Sequence, residues 1–257
     1  MPFIDTHTHL FLDEFESDLP AVVQRAVNAG VSYLIMPNVD AETSEALIRV
    51  YHQYPNLMRC ATGLHPTSVA ENWKETVDRI INQFADIKIV AIGEIGIDLY
   101  WDKTKLHLQQ EAFAYQLRLA NSMNLPVIIH SRDAHNEIIS ILDNLGEKLP
   151  QGVFHCFTGT AGQAQQILDR GLYIGIGGVV TFKKSDLGET LSKAVPLEKI
   201  VLETDAPYLT PAPFRGKRNE PEYLTFTIQK LAEIYGKSTT EIEQITSLNA
   251  TKLFDIK

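Results

Sequence analysis

The sequence predicts an α/β fold, a (β/α)₈ TIM barrel running as one domain over residues 1–257. Two observations predict it. Eight short apolar runs alternate with longer amphipathic stretches, and most of the runs are rich in Val and Ile without polar alternation, as strands covered on both faces should be. The length of 257 residues also suits a single closed barrel. An open doubly wound sheet is the alternative, but it normally carries a glycine-rich turn after an early strand, and Asp5-Thr6-His7-Thr8-His9-Leu10 has no glycine.

The elements follow in order. Phe3–Ile4, leading into Asp5, is the first strand. Leu19–Asn28 reads as a helix stopped at Gly30, a residue free to take the left-handed conformation at a helix end. Ser32–Met36 is the second strand, and Asp40 is placed to cap a helix over Ala41–His52. Met58–Thr62 precedes a helix over Asn72–Phe84, Ile89–Ile92 one over Leu106–Met123, and Pro126–Ile129 one over Ala134–Leu145. Gly152–Phe154 leads to Gly162–Arg170, Leu172–Ile176 to Leu187–Ala194, and Ile200–Leu202 to Glu222–Tyr235, which ends at Gly236. A last helical pair, Thr240–Thr246 and Asn249–Phe254, closes the chain.

Composition narrows function. Hydrophobic residues make up 44% of the chain, enough to exclude global disorder. Acids outnumber bases 32 to 23, a formal charge of −9. Such a surface repels phosphate, so a protein that tracks long duplexes by charge is disfavoured, and any phosphate must be held by a local basic patch or by metal. Cys60 and Cys156 form no CxxC, the N-terminus has no signal-peptide pattern, and no apolar run is long enough to span a bilayer. The expected setting is therefore cytoplasmic, with no membrane partner and no organic cofactor.

Chemistry is concentrated where the strands end, the rim at which barrels place their sites. His7 and His9 follow the first strand, two apart and so on one face. Glu94 ends the fourth, His130 the fifth, His155 the sixth, and Asp205 follows the eighth. One strand-end histidine is most often a hydrogen-bonded core residue, but carboxylates buried among neutral imidazoles need a counter-charge. Six groups exceed one tetrahedral site and fit two divalent ions. His7, His9 and Asp205 are assigned to one, His130 and His155 to the other, and Glu94 bridges them. The ions would share a hydroxide, with Asp205 as the catalytic proton acceptor. The four histidines suit zinc or manganese. His52, His107 and His135 lie in or at helices and are not assigned.

The motifs Asp5-Thr6-His7-Thr8-His9-Leu10, Gly93-Glu94-Ile95-Gly96-Ile97-Asp98, Leu125-Pro126-Val127-Ile128-Ile129-His130-Ser131-Arg132-Asp133-Ala134, His155-Cys156-Phe157-Thr158-Gly159, Leu202-Glu203-Thr204-Asp205-Ala206-Pro207-Tyr208-Leu209 and Arg215-Gly216-Lys217-Arg218-Asn219-Glu220-Pro221 together resemble the TatD family of metal-dependent hydrolases, within the amidohydrolase superfamily. That resemblance implies a metal-dependent deoxyribonuclease, acting often from the 3′ end and with magnesium. Some members are linked to D-aminoacyl-tRNA deacylation. Where many binuclear relatives bridge their ions with a modified lysine, this chain has Glu94.

Other residues extend the site. Glu203, two before Asp205, is a second catalytic candidate that orients a histidine or water, or else a helper in an ion pair; Asp5 beside His7 is similarly ambiguous. His65 can donate to a substrate oxygen. Arg132 presents a planar fork suited to phosphate. Arg215, Lys217 and Arg218 form the densest basic cluster, on a late loop where barrels often hold phosphate. Tyr100 and Trp101 can stack on a base or cover the helix–barrel seam. Cys156 should point away if His155 points in. The expected partner is a DNA end, or another phosphodiester with a small footprint and shallow salt dependence. Two rivals stand beside this reading: a deacylase or amidohydrolase on the same metal centre, and a non-enzymatic metal-binding protein. The oligomeric state is left open.

Overall fold

The computed structural model describes residues 2–256. Eight strands form one parallel sheet in sequential order: β1 (Phe3–Asp5), β2 (Val31–Pro37), β3 (Met58–Thr62), β4 (Ile89–Asp98), β5 (Val127–Arg132), β6 (Gly152–Phe154), β7 (Tyr173–Ile176) and β8 (Ile200–Leu202). The first and last strands meet just beyond their ends. Thr6 N donates to Leu202 O (2.9 Å), Asp205 N to His7 O (2.8 Å) and His9 N to Ala206 O (2.8 Å), which brings the sheet round as a TIM barrel. The helices are α1 (Leu19–Ala29), α2 (Ser44–Gln53), α3 (Trp73–Gln83), α4 (Leu106–Met123), α5 (His135–Asp143), α6 (Ala161–Asp169), α7 (Leu187–Ala194), α8 (Leu224–Tyr235) and α9 (Thr239–Phe254).

The barrel interior is a packed core, not a pore. Ile4, Ile35, Ala61, Ala91, Ile128, Val153, Tyr173 and Val201, one from each strand, form one buried cluster. Leu253 and Phe254 from the end of α9 close the same cluster from outside the strands. Two residues further along β5, and two beyond the corresponding core residues of β6 and β8, come His130, His155 and Glu203. The apolar plug is therefore the floor on which the polar site stands.

Two elements differ from the sequence expectation. The final helical pair is one helix, α9, because Thr246 returns its hydroxyl to Ile242 O (2.7 Å) and Asn249 spends its amide on Leu197 O (2.9 Å) and Ile200 O (2.7 Å). Polar residues that read as a break are satisfied within the packing. Strand β4 runs on to Asp98 instead of ending near Glu94. Its pairing with β5 slips between Ile92↔Val127 and Ile95↔Ile129, so three steps on β4 match two on β5. The bulge takes up Gly93 and Glu94 and then lets the ladder continue.

Candidate metal centre

The six expected ligands converge at one end of the barrel. Glu94 is their hub, and its two oxygens face different partners. Oε2 lies 3.2 Å from His7 Nε2 and 3.8 Å from His9 Nε2. Oε1 lies 2.6 Å from His155 Nε2 and 2.8 Å from His130 Nδ1. Asp205 Oδ1 sits on the first side, 3.6 Å from His7 Nε2 and 3.5 Å from His9 Nε2. Backbone bonds fix these positions: Thr8 N donates to Ile35 O (3.0 Å), Glu94 N to Asn38 O (3.2 Å) and His155 N to Ile129 O (3.0 Å).

Electrostatics make the case for a cation. Burial opposes charge on Glu94, yet His155, His7 and His65 around it hold its carboxyl well below the usual range. His155 is the counterpart: burial works against its charge, but Glu94, with Glu203 and Asp205, pushes it up to about 10. His7, held down by burial and by His155, falls to about 4. The cluster thus keeps Glu94 ionised and gathers positive charge around it. His7 Nε2 and His9 Nε2 approach to 3.1 Å. Two nitrogens on one divalent ion at 2.0–2.2 Å stand about 3 Å apart, so the donor set fits a shared cation. The groups His7/His9/Glu94, His65/Glu94/His130 and His7/His155/Glu203 each offer ligand atoms close enough for one ion.

Two carboxylates support this ring. Asp98 is a functional residue that the apolar run Ile89–Ile92 does not reveal, because only the extended β4 carries it to the site. Its Oδ2 lies 2.9 Å from His130 Nε2, which leaves His130 Nδ1 facing Glu94. Burial works against ionised Asp98, but the His130 bond outweighs it and the carboxyl lies below its ordinary value. Glu203 bonds the Cys156 amide and stands 3.9 Å from His155 Nδ1, while burial pushes its carboxyl up to about 8. Gly175 makes room for it, since a Cβ there would come 2.4 Å from Glu203 Oε2. Asp5 turns to Thr204, whose hydroxyl donates at 2.6 Å, and braces the strand ends without facing the ring. Asp98→Asn keeps the shape but loses the charge behind His130; metal affinity is expected to fall roughly 10–100-fold with the melting temperature nearly unchanged. Titration of the metal-free protein against a fluorescent chelator checks this.

The remaining candidates separate. The ring opens into a cavity of about 700 Å³, lined among others by His65, Trp101, Arg132, Thr158, Asp205 and Tyr208. Thr67 N donates to His65 Nδ1 (3.2 Å), so the neutral ring carries its proton on Nε2, which faces Glu94 Oε1 at 3.5 Å. Arg132 lies at the mouth with its guanidinium 3.8 Å from the centre of the Tyr100 ring. Cys156 does not point away: its φ of +49° breaks the strand alternation, and its thiol lines the same cavity. Arg215, Lys217 and Arg218 are not among the cavity-lining residues. Arg215 stacks on Phe182 and Lys217 on Phe214, both exposed. Arg218 is paired elsewhere, because the terminal nitrogens of its fork bind Asp18 (2.8 Å) and Glu220 (2.8 Å). His135 opens α5 and bonds Gln166 (2.8 Å); His52 and His107 are exposed on helices.

A TIM barrel with convergent histidines and acids on its rim defines a metal-dependent hydrolase. The chain belongs to the TatD related DNase family, whose model matches residues 4–255. It is 38% identical to the uncharacterized metal-dependent hydrolase YabD of Bacillus subtilis over 252 residues, 98% of each chain. It is also 38% identical to the 3′-5′ ssDNA/RNA exonuclease TatD of Citrobacter rodentium over 257 residues, covering 98% of this chain and 97% of that one. The crystal structure of YjjV, a TatD homologue from Escherichia coli K12, superposes with a TM-score of 0.91 at 33% identity, covering 99% of this chain and 98% of that one. As in the sequence, no described helix is long and apolar enough to cross a membrane.

Proposed function

We propose that this chain hydrolyses terminal phosphodiester bonds of single-stranded DNA from the 3′ end, using two divalent cations drawn from magnesium, manganese and zinc. One observation carries the proposal. The two oxygens of Glu94 face two different histidine sets, His7/His9 and His130/His155, which is what a carboxylate bridging a cation pair requires. When bound, the cations supply the positive charge that activates water and neutralises the phosphate oxygens.

The chain's own groups do the rest. Asp205 accepts a proton from the attacking water: burial disfavours its charge, but His9 and His7 hold its carboxyl below the ordinary range, so it is ionised and unprotonated at neutral pH. His65 lines the cavity, and its Nε2–H, which faces Glu94 at 3.5 Å, is the donor that would turn to a phosphate oxygen. Asp98 holds His130 in orientation through its 2.9 Å bond, and Glu203 stands behind His155 at 3.9 Å. Arg132 takes a neighbouring phosphate, and Arg215 and Lys217 add exposed charge for a longer strand. Relatives named as 3′-5′ exonucleases of ssDNA and RNA support this polarity and leave RNA as a competing substrate.

The test strips the protein of metal and reconstitutes it with each of the three ions. It is offered 3′- and 5′-labelled single strands, duplex DNA, RNA and a D-aminoacyl ester. Early release of the 3′ label as mononucleotide from single strands is expected. Hydrolysis of the ester with no oligonucleotide cleaved under any metal overturns the proposal in favour of a deacylase.

A further inference from the structure

Tyr100 and Trp101 are large aromatic side chains left 55% and 71% exposed, directly beside the catalytic cavity. Their rings meet edge to face with centroids 4.9 Å apart. Arg132 lies against both, 3.8 Å from the Tyr100 centroid and 5.6 Å from that of Trp101. It forms no ion pair among the described residues, and apart from histidine it is the one basic side chain lining a cavity that holds Glu94, Asp98 and Asp205. Burying these rings against the barrel would have gained apolar contact; they are instead presented to solvent with a cation beside them.

Asp98 ties this corner to the metal centre. Its Oδ1 accepts from Tyr100 N (2.9 Å) and Trp101 N (3.4 Å), while its Oδ2 holds His130. One carboxylate therefore sets both the aromatic loop and a ligand histidine. Arg132 shares the same frame, because Leu99 N donates to Arg132 O (2.9 Å) across β4 and β5.

Resting on the nuclease reading above, we infer that Trp101, Tyr100 and Arg132 form a subsite for the nucleotide next to the scissile bond. Trp101 stacks on its unpaired base and Arg132 holds its phosphate. An aromatic face accepts any base, and a guanidinium supplies charge without reading sequence. The subsite thus selects single strands over duplex, because a base stacked in a helix has no face to offer.

Two measurements test it. In the first, wild-type protein and Trp101→Ala are assayed on oligonucleotides with a normal or an abasic residue at each position near the 3′ end. Trp101→Ala is expected to lose roughly 10-fold in kcat/KM on the normal strand. An abasic residue at one position should cost the wild type as much and the variant nothing further. In the second, metal-loaded Trp73→Phe protein, whose remaining tryptophan is Trp101, is titrated with a hydrolysis-resistant phosphorothioate tetrathymidylate, and quenching of its fluorescence is expected. Unchanged fluorescence on binding, or an abasic penalty equal in both proteins, overturns the subsite even if the enzyme cuts DNA. Quenching with no cleavage under any metal would instead refute the nuclease reading and, with it, the placement beside a scissile bond, leaving a single-strand binding surface at Trp101.

Discussion

Glu94→Gln is expected to lower turnover on oligonucleotides by roughly a thousandfold, the scale of removing a principal source of transition-state charge stabilisation. It should also abolish retention of two metal equivalents on dialysis. Glutamine keeps the size of the side chain but replaces one oxygen with a donor. Whichever way the amide lies, either His7/His9 or His130/His155 then faces an N–H where it had an acceptor. The fold should survive. Glu94 is the foremost of the carboxylates that hold His155 up at about 10, so without its charge burial weighs more heavily against a charged ring and less positive charge is left uncompensated. Elemental analysis of dialysed protein, with circular dichroism and a melting curve, separates loss of metal from loss of structure. A variant that retained both metals and half its turnover would refute the bridging role.

The ring could be found in the sequence because of barrel geometry. Runs buried on both faces mark the strands, and a polar residue just past each run must lie on the common rim. That reasoning places His7, His9, Glu94, His130, His155 and Asp205 together without any contact being known. It fails where the backbone leaves regular alternation. The sequence ends the fourth strand at Glu94, which leaves Asp98 outside it, whereas a bulge carries β4 on and places Asp98 behind His130. The positive φ of Cys156 turns a side chain that period-two reasoning sends outward into the cavity. Arg218 shows the other limit. Its basic neighbours suggested phosphate, but Asp18, distant by 200 residues in sequence, fills its fork. Local charge density cannot report such a partner.

Gly96→Ala should be among the most destabilising single methyl additions to this chain, costing about 4 kcal/mol, the scale reserved for forced backbone clashes. Gly96 pairs directly with His130 in the β4–β5 ladder. A Cβ on it would stand 2.0 Å from His130 O, 2.9 Å from His130 C and 3.0 Å from His130 N, all backbone atoms that no rotamer change can move. Its φ of +146° is also a conformation that residues with a Cβ rarely adopt. Gly146→Ala is the control, because that glycine has a positive φ but nothing within 4 Å of the added carbon, so only conformational strain of about 1–2 kcal/mol applies. Urea denaturation of both variants checks the difference, and equal midpoints would show that β4 and β5 can separate freely. They should not, because the atoms that resist the methyl belong to His130. Any relaxation that admits it draws His130 from Asp98 and Glu94, so whatever Gly96→Ala protein remains folded should bind metal more weakly than Gly146→Ala.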